Sequence, residues 1–281
     1  MLVIVYQPLM NVKNKTTTEH KTLKYTGYNI HYYISGNPNG KAIVFVHAAF
    51  ADHRCFNRQL EYFGENYRVI TMDMLGHGLS QANKTSDKID KTAYHIHQIL
   101  EKEGISKTHI VGVSMGSLIA QYFALQYPEY TLSVSILGGY DISADNKQIN
   151  KAQRAEGLKW IFKALFSMNL FRNYIAKVTV NNPELQPEIY EMATCFTRKS
   201  FMYLSGMRNV VKLRENIIIA CPLLIMVGDS DLELAKQMAL KFHQSKPESE
   251  YQVIMNAGHL ANMDQAEMFN TVLDEFISTT K

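Results

Sequence analysis

Cysteine is scarce in this sequence. The 281 residues contain only Cys55, Cys195 and Cys221, which lie far apart and form no Cys-x-x-Cys pair. An odd number of isolated cysteines argues against a disulfide framework, and the absence of paired ligands argues against a zinc site. We therefore expect a protein of the reducing cytoplasm that needs no metal.

The sequence also lacks an excess of charge of one sign. Its 29 basic and 26 acidic residues give a net charge of +3, and they form no long run of one sign. Nothing in this distribution marks a nucleic-acid-binding stripe or a polybasic membrane patch. The expected partner is a small molecule and not a nucleic acid, and the oligomeric state is left open.

A long apolar run is missing as well. The apolar opening Met1–Met10 has no positive residue ahead of it, contains Gln7 and Pro8, and is shorter than a membrane span of about 20 residues. We interpret it neither as a signal peptide nor as a membrane span. Together with the polar residues that follow, it predicts a loosely attached N-terminal extension over residues 1–21.

A regular alternation of strand and helix patterns is present from about Leu23 onward. With 46% apolar and 20% charged residues, the chain can bury the core of one large domain. The expected strands are an edge hairpin, residues 23–28 and 30–35, and then 42–46, 68–72, 109–113, 131–137, 222–227 and 251–255. The expected helices are 52–63, 85–103, 115–127, 232–243 and a last helix through 276. This order predicts an α/β fold with a mostly parallel, twisted sheet of about eight strands and helices on both faces.

One long segment interrupts this alternation. Residues 141–216 follow the sixth predicted strand of this sheet and contain only helical patterns with many large apolar side chains. A connection of roughly seventy-five residues is long, and such segments are usually lids or binding elements. We predict a helical cap over the active site, inserted into a core formed by residues 22–140 and 217–281. A helical subdomain that packs only on itself is the alternative.

The segment His109–Ala120 carries the candidate nucleophile. An apolar strand leads into Gly112-Val113-Ser114-Met115-Gly116, and a helix follows, which is the order of a nucleophile elbow. The flanking glycines permit a tight turn, from which the Ser114 hydroxyl projects at the top of the sheet. Because so short a pattern also arises by chance, the prediction depends on a base and an acid at the ends of other strands.

A carboxylate and a histidine do follow later strands, in the order Ser114, Asp231, His259. A serine hydroxyl needs a base within reach, and the base needs a partner that orients it. With this order the sequence resembles the α/β-hydrolase superfamily, in its serine-nucleophile, cap-containing, esterase-like branch. The matching segments are Ala42–Phe50, Asp73–Ser80, Val111–Gly116, Val227–Asp231 and Ala257–Asp264. The resemblance covers nearly the whole chain from about Leu23, and the cap matches least.

The resemblance implies a role for each of these side chains. Ser114 is expected to be the nucleophile, His259 the general base and later the acid, and Asp231 the carboxylate that orients the histidine. Asp231 is preferred to Asp229 and to Glu233 because the family's acid stands three residues after the glycine that ends the strand. A capping or core role is the alternative for the histidine.

The resemblance also implies an oxyanion hole. Its donors are expected to be the backbone N–H groups of Met115 and Ala49. Ala48 stands where the family usually has glycine, so a positive φ there would strain the alanine and shift the loop. His47 and Asp73 are expected to hold loops in place and to take no part in the reaction.

The implied chemistry is acyl transfer on Ser114, without a metal or an organic cofactor. The expected substrate is a small to medium carboxylic ester with an apolar part that suits the cap. A lipase that acts on bulk lipid is less expected, since the chain shows no secretion signal and no evident membrane anchor. Thioester hydrolysis and a carbon–carbon bond hydrolase or lyase reaction with the same triad stay open. A ligand-sensing regulatory protein is the alternative from another class.

Overall fold

The computed structural model describes residues 17–212, 214 and 219–280. Eight strands form a single sheet in this part of the chain: β1 (Glu19–Tyr25), β2 (Tyr28–Gly36), β3 (Ala42–Val46), β4 (Arg68–Met72), β5 (Thr108–Val113), β6 (Thr131–Leu137), β7 (Leu223–Gly228) and β8 (Glu250–Ile254). Their order in the sheet is β1-β2-β4-β3-β5-β6-β7-β8. Strand β2 is antiparallel to β1 and to β4, and every other pair is parallel. The predicted mostly parallel sheet of about eight strands is confirmed.

Helices cover both faces of this sheet and also form the segment between β6 and β7. They are α1 (Asn57–Phe63), α2 (Thr92–Lys102), α3 (Met115–Gln126), α4 (Lys147–Phe166), α5 (Met168–Thr179), α6 (Gln186–Thr194), α7 (Met207–Val210), α8 (Glu233–Ser245), α9 (Ala261–Asp264) and α10 (Ala266–Thr279). Successive residues of a strand point to opposite faces. In β3, therefore, Val44 and Val46 join one apolar cluster while Ile43 and Phe45 join the other. The continuous apolar run of β3 thus reflects burial on both sides, as the sequence indicates.

The first strand begins earlier than the sequence analysis predicts. Strand β1 starts at Glu19, whose partner in β2 is Ile34, so residues 19–21 belong to the sheet and not to the predicted extension. Lys21 is further held by the Glu103 carboxylate, with 3.1 Å between Nζ and Oε2. Cross-strand pairing stabilises this polar segment although it has no apolar pattern. The predicted apolar opening, Met1–Met10, lies outside the described residues.

Helix α2 is shorter than the predicted helix over residues 85–103. It begins at Thr92, after a single 3-10 turn. The Thr85 hydroxyl accepts a hydrogen bond from the Asp87 N–H, and the Asp87 carboxylate accepts one from the Tyr28 hydroxyl at 2.7 Å. Such side-chain contacts compete with helical hydrogen bonding, which is why the helical spacing starts before the helix does.

Helices α4 to α7 lie between β6 and β7, where the cap is predicted, and the described residues of this segment contain no strand. These helices pack on the core as well as on each other. The Phe50 ring, in the loop after β3, meets Trp160, Phe171 and Phe196 edge-to-face, with centroids 4.9 to 5.1 Å apart. None of the described helices is long and apolar enough to cross a membrane.

Candidate active site

Ser114 lies at a sharply strained turn between β5 and α3. Its backbone has φ 54° and ψ −116°, a conformation that costs free energy in a residue with a side chain and that is typical of functional sites. The Ser114 N–H donates to the Leu137 carbonyl at 2.8 Å, which ties the turn to the end of β6. The strain therefore persists because neighbouring strands hold the turn.

The flanking glycines are required by close backbone contacts. A Cβ atom on Gly112 would lie 2.2 Å from the Gly116 carbonyl oxygen, and one on Gly116 would lie 2.0 Å from the Val46 carbonyl oxygen. Both distances are far below a normal contact, so neither position tolerates a side chain without a shift of the backbone. The Gly-x-Ser-x-Gly pattern thus has a steric cause.

The structure brings Ser114, His259 and Asp231 together. The Ser114 Oγ lies 2.7 Å from His259 Nε2, and His259 Nδ1 lies 3.0 Å and 2.9 Å from the two carboxylate oxygens of Asp231. The side chain of Asp231 is fully buried, whereas that of His259 is 23% exposed. With the carboxylate on Nδ1, the histidine carries its proton there and leaves Nε2 free to accept the serine proton.

The acid–base property of His259 follows from this pairing. Burial disfavours the charged imidazole, but the charge of Asp231 and its hydrogen bond outweigh that effect and raise the pKa of His259 above its ordinary value. The imidazolium that forms when a serine proton is accepted is therefore stabilised.

The neighbouring carboxylate, Asp229, has a different function. One of its oxygens accepts hydrogen bonds from the Ala257 N–H at 3.0 Å and from the Ser230 hydroxyl at 3.1 Å. The backbone N–H groups of Asn256 and Ala257, with a smaller contribution from the Ser230 hydroxyl, hold the pKa of Asp229 below its usual value. Asp229 thus joins the loop after β7 to the loop after β8, and Asp231 makes the contact with His259. Glu233 pairs with Lys236 on the surface of α8.

The loop after β3 begins beside the elbow, since a Cβ on Gly116 would lie 2.7 Å from the His47 carbonyl oxygen. The Ala48 carbonyl oxygen accepts from the His47 ring at 2.7 Å and from the Ala51 N–H at 3.3 Å. Because the C=O and N–H of a trans peptide point in opposite directions, the Ala49 N–H faces away from these donors. The Met115 N–H is the first of α3 and has no acceptor within that helix.

The expected strain at Ala48 is not present. Among the described residues, positive φ values outside glycine occur at Phe50 (69°), Ser114 and Asn256, and not at Ala48. Alanine fits at position 48, where the family usually has glycine, because the residue of this turn with a left-handed backbone is Phe50. The packing of the Phe50 ring among the aromatic side chains of the insertion offsets the cost of that conformation.

His47 and Asp73 hold the neighbouring loops. His47 is fully buried; its Nε2 accepts from the Met74 N–H at 3.0 Å, and burial lowers its pKa. Asp73 accepts from the His53 ring at 2.7 Å, the His53 N–H at 3.0 Å and the Leu79 N–H at 2.9 Å. Burial opposes ionisation of Asp73, but the hydrogen bonds from His53 and Leu79 hold its pKa below the usual value.

Asp52, His53 and Asp73 form a cluster whose ligand atoms lie within 4.8 Å of one another. A cation there would have to compete with existing partners. Both oxygens of Asp52 accept from Arg54, at 2.7 to 3.0 Å, and both oxygens of Asp73 accept from protein donors. The cluster is therefore a charge network that braces the loops, and each of its carboxylate oxygens already accepts a hydrogen bond from the protein.

The sequence patterns do not predict the role of two positions near the histidine. Asp264, at the end of α9, accepts hydrogen bonds from the N–H groups of Gly258, Asn181 and Asn182, at 2.8 to 2.9 Å. Gly138 has φ 64°, and a Cβ on it would lie 3.0 Å from His259 Cε1. In the sequence, the one signal for Asp264 is its position five residues after His259.

The family model for the α/β hydrolase fold matches residues 41–161. A hydrolase of (E)-2-((N-methylformamido)methylene)succinate from Acinetobacter baylyi is 25% identical over 264 residues, 89% of this chain and 94% of that protein. A 2-hydroxy-6-oxononadienedioate/2-hydroxy-6-oxononatrienedioate hydrolase from Burkholderia vietnamiensis is 26% identical over 92% of this chain and 97% of that protein.

Solved structures show the same architecture. A thermophilic esterase from Thermogutta terrifontis aligns with a TM-score of 0.74 at 19% identity, over 92% of this chain and 98% of that chain. At this identity the similarity concerns the fold. The family match, the relatives and the fold agree: the chain has the α/β-hydrolase fold and is a hydrolase.

Proposed function

We propose that this hydrolase cleaves a small to medium carboxylic ester through an acyl-enzyme on Ser114. The observation that carries this proposal is the 2.7 Å contact between Ser114 Oγ and His259 Nε2, with Asp231 on the other ring nitrogen. Serine at the elbow is suited to attack on a carbonyl carbon. The three side chains come from three different loops, so their alignment is a property of the fold.

The proposed reaction has two halves. In the first, His259 accepts the Ser114 proton as the oxygen attacks the ester carbonyl, and then donates it to the leaving alcohol. In the second, His259 activates a water molecule that releases the acid and restores the serine. Asp231 stabilises the imidazolium in both halves, which is consistent with the raised pKa of His259.

The negative oxygen of the tetrahedral intermediate requires two donors. We assign this role to the N–H groups of Ala49 and Met115. Two observations support this assignment. The Ala48 carbonyl accepts hydrogen bonds from the His47 ring and the Ala51 N–H, so the Ala49 N–H of the same peptide points in the opposite direction. Met115 is the first residue of α3. A helix N-terminus also favours negative charge nearby.

The helical segment 141–216 is proposed to act as the cap that selects the substrate. Its contact with Phe50 places aromatic side chains next to Ala49, the proposed oxyanion donor. Apolar walls at this position favour an ester with an apolar acyl or alcohol part. We further propose the cytoplasm as the place of action, in line with three unpaired cysteines.

A second candidate is hydrolysis of a carbon–carbon bond, which the Burkholderia relative's name makes worth testing. Thioester hydrolysis and ligand sensing without turnover are the remaining alternatives.

The decisive experiment is a panel of aryl esters of rising acyl length, a thioester and a dienoic diketone, with Ser114→Ala as the blank. We expect the short aryl esters to give the highest kcat/KM. A higher value for the diketone would replace the ester proposal, and no turnover with no fluorophosphonate labelling would favour the sensor.

A further inference from the structure

The joint between α4 and α5 exposes an unusual number of large apolar side chains. Within residues 158–170, six such side chains are 46% to 72% exposed: Leu158, Ile161, Phe162, Leu165, Phe166 and Leu170. The rings of Phe162 and Phe166 contact each other, with 4.6 Å between their centroids, and do not pack on the core. Contiguous exposed apolar surface of this kind marks an interaction site. We call these six side chains the hairpin tip.

Helical geometry explains why these side chains share one face. The five members of the hairpin tip in α4 are spaced by three and four residues, which places them on one side of the helix. The opposite side faces the protein: Ala164 is buried, and Trp160 packs on Phe50 at 5.1 Å. The hairpin tip is thus the outer face of the helix whose inner face contacts the loop after β3.

Basic residues outnumber acidic ones in the two helices that carry the hairpin tip. Residues 147–179, which span α4 and α5, contain seven basic residues and one acidic residue, while the whole chain has a net charge of +3. The rest of the chain is therefore net negative. Lys147 and Lys151 are exposed and continue the face of Leu158 towards the start of α4. Lys147 pairs with Asp145 and the 63% exposed Lys159 pairs with Glu156, each at 3.0 Å on the surface.

We propose that the hairpin tip docks on an anionic lipid surface. The aromatic and aliphatic side chains would enter the interfacial region, and the lysines along α4 would contact lipid phosphate groups. The charge pattern favours this occupant over a second copy of the chain, because two such faces would bring like charges together. The short apolar stretch fits shallow insertion and not a membrane span.

This docking surface is independent of the ester proposal, because binding to lipid requires no turnover. It would, however, place the inner face of α4 and the Ser114 site beside the lipid. An ester of low solubility could then pass from the lipid to the site without crossing water. The substrate class that this arrangement favours is an ester presented at a lipid surface.

The test is co-sedimentation of the protein with vesicles of phosphatidylcholine and phosphatidylglycerol, and with vesicles of phosphatidylcholine alone. We expect binding to the anionic vesicles that weakens as salt is added. Replacing two aromatic side chains of the tip, Phe162→Ser with Phe166→Ser, should weaken this binding about tenfold or more. The matched control is Leu240→Ser, which removes an exposed apolar side chain from α8.

A second pair of variants tests the electrostatic part. Lys147→Gln with Lys151→Gln should reduce the preference for anionic vesicles, whereas Lys241→Gln on α8 should not. Equal binding to both kinds of vesicle, or no binding, would overturn the proposal. So would a concentration-dependent dimer that the Phe162→Ser, Phe166→Ser variant abolishes, because the tip would then be a contact between copies.

Hydrolysis of a soluble aryl acetate without vesicles separates this proposal from the ester proposal. The Phe162→Ser, Phe166→Ser variant should keep the rate of the unchanged protein, since both side chains face outward. Hydrolysis without vesicle binding would contradict only the docking surface. Vesicle binding without hydrolysis of any ester would contradict only the proposed reaction.

Discussion

The elbow between β5 and α3 and the helical pair α4–α5 differ in what constrains them. At the elbow, neighbouring backbone lies so close that Gly112 and Gly116 admit no side chain, and Ser114 is held in a strained conformation. Along α4, Trp160 and Ala164 face the core, while the outer side exposes large apolar side chains and lysines. Backbone sterics therefore fix the conformation of the proposed nucleophile, whereas the side chains of the insertion are proposed to select what approaches it.

The largest expected effect is the loss of kcat on substitution of Ser114 at the elbow. Ser114→Ala removes the proposed nucleophile and should reduce kcat by about 10⁶-fold, while ligand binding and the fold are retained. Turnover of an aryl ester and circular dichroism together measure both properties. A variant that keeps a rate close to that of the unchanged protein would disprove the assignment.

Asp231→Asn tests which carboxylate orients His259. The amide cannot stabilise the imidazolium, and we expect kcat to fall by about 10⁴-fold. Asp229→Asn is the matched control, because an amide oxygen can still accept from the Ala257 N–H. A large loss in the control together with a small loss in Asp231→Asn would reverse the assignment.

Asp264→Asn tests the connection between the two regions. One carboxylate holds the N–H of Gly258, next to His259, and the N–H groups of Asn181 and Asn182, which follow α5. An amide has a single acceptor oxygen, so the histidine loop should loosen and kcat should fall by about 10- to 100-fold with little change in KM. Glu275→Gln, an exposed carboxylate on α10, is the control. A change in KM alone would mean that Asp264 acts on the insertion and not on the histidine.

Trp160→Leu tests the inner face of the insertion. Loss of the edge-to-face contact with Phe50 should change the ratio of kcat/KM between long and short acyl esters by several-fold, about 1 kcal/mol. The outward Phe162→Ser, on the same helix, should leave this ratio unchanged for soluble esters. An equal effect of both variants would show that the two faces of α4 do not differ in function.

The smallest expected effect is on pH dependence. His259 must be neutral to accept the Ser114 proton, and its pKa is raised by Asp231. Activity should therefore fall as the pH drops through a value above about 6.5, the ordinary imidazole pKa. A pH profile of kcat/KM measures this limb, and Asp231→Asn should move it to lower pH. A limb below the ordinary value would contradict the pairing.

Much of this architecture can be predicted from local patterns. The apolar runs over 42–46 and 109–113 are continuous because both faces of those strands are buried. Gly112 and Gly116 flank Ser114 because only glycine fits at these two positions of the turn. Boundaries were predicted less well where side chains compete with the backbone. Thr85 and Asp87 delay the start of α2, and cross-strand pairing extends β1 back to Glu19.

The sequence by itself determined the order of strands and helices, the turn at Ser114, and the presence of a carboxylate and a histidine after the last strands, because these depend on neighbours along the chain. Only the tertiary structure decided that Asp231 and not Asp229 meets His259, that Ala48 is unstrained while Phe50 carries the positive φ, and that Asp264 joins the histidine loop to the insertion. The physical reason is that these contacts connect segments that are far apart along the chain. Their distances depend on how the whole sheet packs, which no local pattern encodes.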